Sequence, residues 1–178
     1  NITLEFMNLN LNELVQQVNG EFAERFEGRN LDLICILQPE PLLIRADSRR
    51  IWRVLENLYV NVCKYAMPGT RVYVDAIKKD GKIQLSIKNI SENPLNFQAD
   101  ELTERFIRGD VSRSTEGSGL GLSIAKNLTV LQHGSFNIYL DGDLFKVTIT
   151  FDEAVKEKKP MPPMIVPEAV QEEAQQDA

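Results

Sequence analysis

Residues that bind zinc or form disulfides are scarce in this chain of 178 residues. It contains one histidine, His133, and two cysteines, Cys35 and Cys63. A zinc site is therefore not expected, because such sites take four ligands drawn mainly from these two residue types. Both cysteines lie in apolar patterns, so we expect buried free thiols in a reducing compartment.

Excess positive charge is also absent. The chain has 20 Lys and Arg residues against 26 Asp and Glu residues, a net charge of −6. A nucleic-acid partner is not expected, because such proteins carry a basic face. No apolar run approaches the length of about 18 residues that would cross a membrane, and no signal peptide is visible. We therefore expect a cytoplasmic domain.

Three helices are predicted from apolar side chains that recur every three or four residues. Asn10 and Asp47 are the predicted N-caps of the first two, and Gly134 is the predicted C-cap of the third. The predicted inward faces are Leu11, Leu14, Val18, Phe22 and Phe26, then Ile51, Val54, Leu55, Leu58 and Val62, then Leu120, Ile124, Leu128 and Leu131.

Strands are predicted from short apolar runs and from alternation. Residues 31–37 form a predicted buried strand, and residues 4–8 and 42–45 form short ones. Two hairpins are predicted around Asp80-Gly81 and around residues 141–143. Hairpins join neighbouring strands antiparallel, which argues against a doubly wound parallel sheet. We expect an α+β fold, a two-layer α/β sandwich whose mixed, mostly antiparallel sheet carries three main helices on one face.

The chain changes character near its end. Residues 153–178 have no periodicity, contain four prolines and are rich in Glu and Gln. This composition predicts a disordered, acidic and proline-rich tail after one domain at residues 1–152. Within the domain, residues 101–107 suit a short helix and residues 108–118 a polar loop.

Four polar side chains follow one another along the second helix. Asn57 and Asn61 are one turn apart, and Lys64 and Tyr65 come one turn later. They border the apolar face, where the wall of a pocket would lie. An amide oxygen of Asn can bind Mg²⁺, and Lys64 can reach phosphates. The alternative is a polar flank without a ligand.

A glycine-rich run precedes the third helix. It consists of Gly117, Ser118, Gly119, Leu120 and Gly121. Glycines before a helix let backbone amides approach an anion, helped by the positive end of the helix dipole. A dinucleotide site would need a strand directly before the glycines, and here the preceding segment is polar. That segment contains Arg108 and Arg113, which could fold onto phosphate; a flexible loop without a ligand is the alternative.

Taken together, the motifs resemble those of one family. Residues 57–65 resemble the N box of sensor histidine kinases, residues 105–110 their F box, and residues 117–125 their second glycine box. The resemblance implies the Bergerat ATP-binding fold, with ATP and Mg²⁺ as ligands. It assigns Mg²⁺ to Asn61, and the nucleotide to Asn57, Lys64, Tyr65 and the run from Gly117 to Gly121.

The chain departs from the family pattern at two positions. Asn89 stands where the first glycine box usually has an adenine-reading aspartate, and the glycines of that box are absent. Val62 replaces a small alanine. We expect Asn89 to read the base more weakly than an aspartate, since it lacks the charge.

The resemblance also implies an enzyme and its partners. Lys64, Arg108 and Arg113 are the candidate catalytic residues. The implied acceptor is a histidine on a dimerisation domain absent from this chain, followed by a response regulator. His133 is expected to cap a helix instead. We expect a monomeric fragment of a homodimeric, membrane-anchored parent. The alternatives are a degenerate kinase that acts as a regulatory or binding module, and a serine-directed kinase of the same fold.

Overall fold

The structure is a computed structural model that describes residues 3–95 and 121–155. Its elements in chain order are β1 (Phe6–Asn10), α1 (Leu11–Gly28), β2 (Asp32–Leu37), β3 (Leu43–Asp47), α2 (Ser48–Tyr65), β4 (Arg71–Lys79), β5 (Lys82–Ile90), α3 (Gly121–Leu131), β6 (Ser135–Asp141) and β7 (Leu144–Asp152). The predicted α+β fold is confirmed. The expected helix at residues 101–107, the polar loop and the tail beyond residue 155 lie outside the described residues.

The main sheet has five strands in the order β2–β4–β5–β7–β6. Only the β2–β4 pair is parallel, and the other three pairs are antiparallel. The predicted turn between β4 and β5 is confirmed, with Asp80 at φ 52° and Gly81 at φ 73°. Two successive positive φ angles suit the tight turn of a twisted hairpin. The β1 and β3 strands pair with each other in a separate two-stranded sheet.

One face of the main sheet is buried and the other is largely polar. Alternate residues of the central strands join the helices in a single core, which confirms the two layers with helices on one face. These buried strand residues are Val72, Val74, Ala76, Ile83, Leu85, Ile87, Phe145, Val147, Ile149 and Phe151.

Asp47 ties the start of α2 to two other elements. Its Oδ1 accepts hydrogen bonds from the backbone N–H groups of Arg49 and Arg50, each at 3.0 Å, which confirms the predicted N-cap. Its Oδ2 accepts from the Glu5 backbone N–H at 2.8 Å, and its own N–H donates to Gln132 Oε1 at 2.9 Å. Because Gln132 follows α3, this one residue joins the entry to β1, the start of α2 and the end of α3.

The prediction of a buried strand at residues 31–37 is wrong. Strand β2 is an edge strand that pairs only with β4, and Ile36 is 64% exposed. Cys35 is exposed as well, so only Cys63 is the buried thiol that we expected. An apolar run does not distinguish an edge strand from a central one, because both can read as continuous hydrophobic segments.

The predicted inward face of α3 is partly wrong. Leu128 is buried as expected, but Leu131 is 43% exposed, and the core is filled by Leu122 and Ala125 instead. Thr129 is also fully buried, because its hydroxyl donates to the Ala125 carbonyl at 2.7 Å. Leu120 lies outside the described residues. The buried face of α3 thus includes a polar residue whose hydroxyl is satisfied by its own helix.

The end of α3 also differs from the prediction. The left-handed conformation belongs to His133, with φ 67°, and not to Gly134. Gly134 is needed for another reason, since a Cβ there would lie 2.8 Å from the ring of Phe151. The predicted role of Gly134 as the C-cap is therefore wrong, because His133 adopts the conformation that ends the helix. The ring of Phe151, which makes glycine necessary at position 134, is distant in the sequence and gives no local signal.

The described chain continues its pairing slightly past β7. The backbone N–H of Glu153 donates to Gly81 O, and that of Ala154 donates to Leu43 O, both at 2.9 Å. The division into a domain at residues 1–152 and a tail at 153–178 stays a prediction. In the part of the chain that the structure describes, no helix is long and apolar enough to cross a membrane.

The cap at Asp47 yields a prediction about stability. Asp47→Ala should lower the free energy of unfolding by about 2 kcal/mol, because the helix cap and the bond from Glu5 are both lost. The hydrogen bond from the Glu5 backbone, aided by those from Arg50 and Arg49, lowers the pKa of Asp47. Asp47→Asn keeps an acceptor but loses the charge, so we expect a smaller loss.

The contribution of the Asp47 charge to the free energy of unfolding depends on pH. It is complete above the unfolded carboxyl pKa of about 4 and is lost as the pH falls through the lower folded pKa. Urea unfolding at neutral and acidic pH measures this, with Glu24→Ala on an exposed helix position as the control. Equal stability of Asp47→Ala and Glu24→Ala at neutral pH would show that the cap does not stabilise the fold.

Candidate functional site

The middle and end of α2 present the predicted polar side chains at the edge of the core. Asn61 is 9% exposed, Asn57 and Tyr65 are half-buried, and Lys64 is exposed. This gradient follows from the helical period, which turns the positions progressively away from the buried stripe. The amides are thus sheltered from water, and the lysine can swing toward a charged ligand.

The start of α3 lies against the same stretch of α2. A Cβ built on Gly121 would come 3.8 Å from the backbone carbonyl oxygen of Asn57. This is an ordinary contact distance, so it shows proximity and not a steric need for glycine. The last glycine of the run and the first asparagine of α2 are therefore neighbours in space. Gly117, Ser118, Gly119, Leu120, Arg108 and Arg113 lie outside the described residues.

Asn89 points from β5 toward the helices. It continues the buried alternation of Ile83, Leu85 and Ile87 and is only 3% exposed. Among the described residues, Asn89 Oδ1 is a buried acceptor without a hydrogen-bond donor, and Asn57 Nδ2 is a buried donor without an acceptor. Buried polar groups are usually paired, because an unpaired one costs about 1–3 kcal/mol. The acceptor on β5 and the donor on α2 are each available to a polar ligand.

Backbone hydrogen bonds hold the end of β5 beside the end of α2. Met67 N–H donates to Ile90 O and Glu92 N–H donates to Tyr65 O, both at 2.8 Å. Ser91 N–H donates to the carbonyl of Asp143 at 2.7 Å, in the turn between β6 and β7. The strand end that carries Asn89 is therefore fixed next to Tyr65.

Arg29 was not singled out by the sequence, although it reaches the same region. Its Nη2 donates to Ala66 O at 2.9 Å and lies 3.4 Å from Glu92 Oε2. These partners are 37 and 63 residues away along the chain. Neither periodicity nor a motif marks so distant a contact, so no local signal could have found it.

The opposite side of α2 is anchored by aromatic packing. Tyr59 stacks on Phe26, with ring centroids 5.7 Å apart, and meets Phe22 edge-on at 5.5 Å. Its hydroxyl donates to Asn19 Oδ1, and burial raises the pKa of this phenol. Burial also raises the pKa of the Cys63 thiol. The aromatic contacts of Tyr59 therefore pack this side of α2 against α1.

Metal binding here would rely on amide oxygen and not on a cluster of charged ligands. Within residues 3–95 and 121–155, no group of three His, Cys, Asp or Glu side chains could hold a metal ion. Mg²⁺ keeps several waters and shares oxygen ligands with phosphates, so one protein oxygen can suffice. Asn61 is the side chain that fits this role.

Two open clefts on the surface do not contain the polar atoms of the candidate site. One cleft of about 600 Å³ is lined by Asn30, Asp32, Gly69, Thr70, Arg71, Tyr73 and Ile90. Another, of about 690 Å³, lies around Phe6, His133 and Phe151. Neither is lined by Asn57, Asn61 or Asn89, so these clefts are separate features of the surface.

Comparison with protein families gives one match over most of the described chain. The model for histidine kinase-, DNA gyrase B-, and HSP90-like ATPases matches residues 46–155. The signal transduction histidine-protein kinase BaeS of Escherichia coli (strain K12) is 31% identical over 123 residues, 68% of this chain and 26% of BaeS. The sensor histidine kinase RppB of Synechocystis is 29% identical over 130 residues, 72% of this chain and 29% of RppB. The chain thus spans less than a third of either protein.

Solved structures give the same result. The catalytic domain of the histidine kinase ThkA superposes with a TM-score of 0.73 at 26% identity, covering 84% of this chain and 97% of that domain. ThkA in complex with the response regulator protein TrrA superposes at 0.69 with 25% identity, covering 87% of this chain and 44% of ThkA. The resemblance to sensor histidine kinases is confirmed.

The unpaired oxygen of Asn89 yields a prediction that separates ligand binding from structural support. Asn89→Leu has a similar branched shape and removes the buried acceptor. We expect the free energy of unfolding without ligand to stay the same or to rise by about 1 kcal/mol. The matched control is Gln132→Met, because both polar atoms of buried Gln132 are paired, with Asp47 N and Leu128 O.

Urea unfolding of the ligand-free variants is the measurement. Gln132→Met should lose about 2 kcal/mol, since two hydrogen bonds disappear and their partners stay buried. If Asn89→Leu loses as much as Gln132→Met, then Asn89 supports the fold and its unpaired oxygen is not a ligand contact.

Proposed function

Because the chain belongs to the family of histidine kinase-, DNA gyrase B-, and HSP90-like ATPases, we propose that it binds ATP with Mg²⁺ and transfers the γ-phosphate to a protein histidine. The observations that carry this proposal are the approach of Gly121 to Asn57 and the place of Asn89 on the strand end that is bonded to Tyr65. Among the described residues, Asn57 Nδ2, on the part of α2 where α3 begins, and Asn89 Oδ1, at the end of β5, are buried polar atoms without a hydrogen-bond partner. A nucleotide would satisfy the amides and place its phosphates at the start of α3.

Each residue has a definite role in the proposed site. Asn89 accepts a hydrogen bond from the adenine amino group, and Asn57 and Tyr65 line the nucleotide. Asn61 contributes an oxygen to Mg²⁺, which neutralises charge on the phosphates when bound. The phosphates are further contacted by Lys64, Arg108 and Arg113, and by the backbone N–H groups of the run Gly117, Ser118, Gly119, Leu120 and Gly121.

Phosphoryl transfer needs positioning and charge neutralisation more than covalent chemistry. The proposed site supplies cations and backbone donors for that purpose, and its acceptor comes from outside this chain. His133 is a poor acceptor, because its ring stacks on Phe6 with centroids 5.6 Å apart at the end of α3. We propose a histidine on a dimerisation domain of the same longer protein as the acceptor.

The wider setting of the domain is proposed from its relatives. The histidine kinase ThkA forms a complex with the response regulator protein TrrA. By analogy we propose that the phosphoryl group passes on to a response regulator. The parent protein would be a homodimer anchored in a membrane, with this domain, monomeric by itself, in the cytoplasm. Nucleic acid is not a proposed partner.

A second candidate function is a degenerate kinase domain that binds nucleotide poorly and acts through contacts with other proteins. The observation in its favour is Asn89, which lacks the negative charge of the family's usual aspartate. The unpaired and buried Oδ1 of Asn89 opposes it, because an acceptor is still available for adenine.

Phosphotransfer in trans tests the proposed function. The chain is incubated with Mg²⁺, ATP labelled at the γ-phosphate and the separately produced dimerisation domain of its parent protein. We expect acid-labile label on the dimerisation domain and none on this chain. Asn61→Ala should slow labelling about fivefold or more, as for a lost bond of about 1–3 kcal/mol to a charged group.

Asn137→Ala is the matched control, since it removes an exposed asparagine from β6 on the far edge of the sheet. It should label at the wild-type rate. A wild-type chain that labels nothing would favour the degenerate kinase domain, and label on His133 would contradict the assignment of the acceptor.

A further inference from the structure

Arg29 connects three elements at the back of the proposed nucleotide site. It is the C-cap of α1, and its guanidinium crosses to the end of α2 and to the segment after β5. Nη2 donates to Ala66 O at 2.9 Å and faces the Glu92 carboxylate at 3.4 Å. The bonds that join these elements are made by Nη2. The Nε of Arg29 is buried without a partner among the described residues.

The two partners of Arg29 flank the residues that would contact the nucleotide. Ala66 directly follows Tyr65, and Glu92 comes three residues after Asn89. Ala66 pairs with Ser91 through an isolated β-bridge. The guanidinium therefore spans the junction whose two sides carry Tyr65 and Asn89.

The hydrogen bond from Arg29 to Ala66 contributes more to stability than the ion pair of Arg29 with Glu92. Ala66 is fully buried, so the loss of a charged donor to its carbonyl leaves an acceptor unsatisfied. The Arg29 and Glu92 side chains are 36% and 47% exposed, and exposed ion pairs contribute little. Arg29 thus acts mainly by holding the end of α2.

We propose that Arg29 is a positioning residue for the base-reading side of the nucleotide site. It holds the end of α2 and the end of β5 at the separation at which Tyr65 and Asn89 can both contact adenine. This inference rests on the proposed nucleotide-binding function. Arg29 itself touches no ligand, and the phosphate-binding side, at Asn61 and the start of α3, does not depend on it.

A purely structural role would have different consequences. Removing an arginine that only stabilises the fold would weaken the binding of adenine and of the phosphates together, or would weaken neither. A positioning residue at the base end should affect adenine recognition and spare the phosphates. Small displacements matter here, because a binding group must be held within about 0.5 Å of its productive position.

The test compares two probes, ATP and inorganic tripolyphosphate, each with Mg²⁺. Both are titrated as competitors of a fluorescent ATP analogue against the full chain. The variants are Arg29→Met, which keeps the apolar stem, Arg29→Lys, which keeps one cationic donor, and Glu92→Gln. Arg25→Met is the matched control, because Arg25 lies on the same helix over the ring of Phe22, 4.9 Å from its centroid.

We expect Arg29→Met to lower the affinity for ATP at least fivefold and the affinity for tripolyphosphate less than twofold. Arg29→Lys should recover part of the loss, and Glu92→Gln and Arg25→Met should change neither probe by more than twofold. An equal loss of affinity for both probes, or no loss of affinity for ATP, would overturn the inference while leaving the proposed function intact. A wild-type chain that binds neither probe would overturn the proposed function and this inference with it.

Discussion

The carboxylate of Asp47 is the constraint on which the arrangement of this domain depends. It caps α2 through Arg49 and Arg50 and also receives the Glu5 N–H at the entry to β1. The backbone N–H of Asp47 donates to Gln132, just after α3. One end of each site helix is therefore fixed at a common point. The rotation of α2, and with it the direction of Asn57 and Asn61, follows from where its first turn is held.

The helices and hairpins could be predicted because their signals are local. Asn10 and Asp47 cap helices through bonds to residues two or three positions away. The turn at Asp80-Gly81 likewise needs only its own two residues. The errors have non-local causes: the edge position of β2 depends on which strands pair, and the glycine at position 134 depends on the ring of Phe151. The contacts of Arg29 could not be predicted for the same reason.

The candidate site combines what the sequence predicts with what only the fold can show. Sequence motifs predict three site residues on α2 and β5, namely Asn57, Asn61 and Asn89. Their roles stay predictions. The fold adds that Gly121 lies beside Asn57 and that Asn89 faces the helices with an oxygen that has no partner among the described residues. A domain that buries such amides gives up stability, and ligand binding is the compensation that the proposed function supplies.

The most direct test of the proposed site is to follow the NMR signals of the side-chain amides of Asn57, Asn61 and Asn89. Each gives its own pair of proton–nitrogen resonances in an NMR spectrum of the labelled protein, assigned by substitution. We predict that a non-hydrolysable ATP analogue with Mg²⁺ shifts all three, and that without Mg²⁺ the shift of Asn61 is reduced most. Unchanged amides at these residues, with shifts confined to Asn30 and the cleft around Tyr73, would contradict the account.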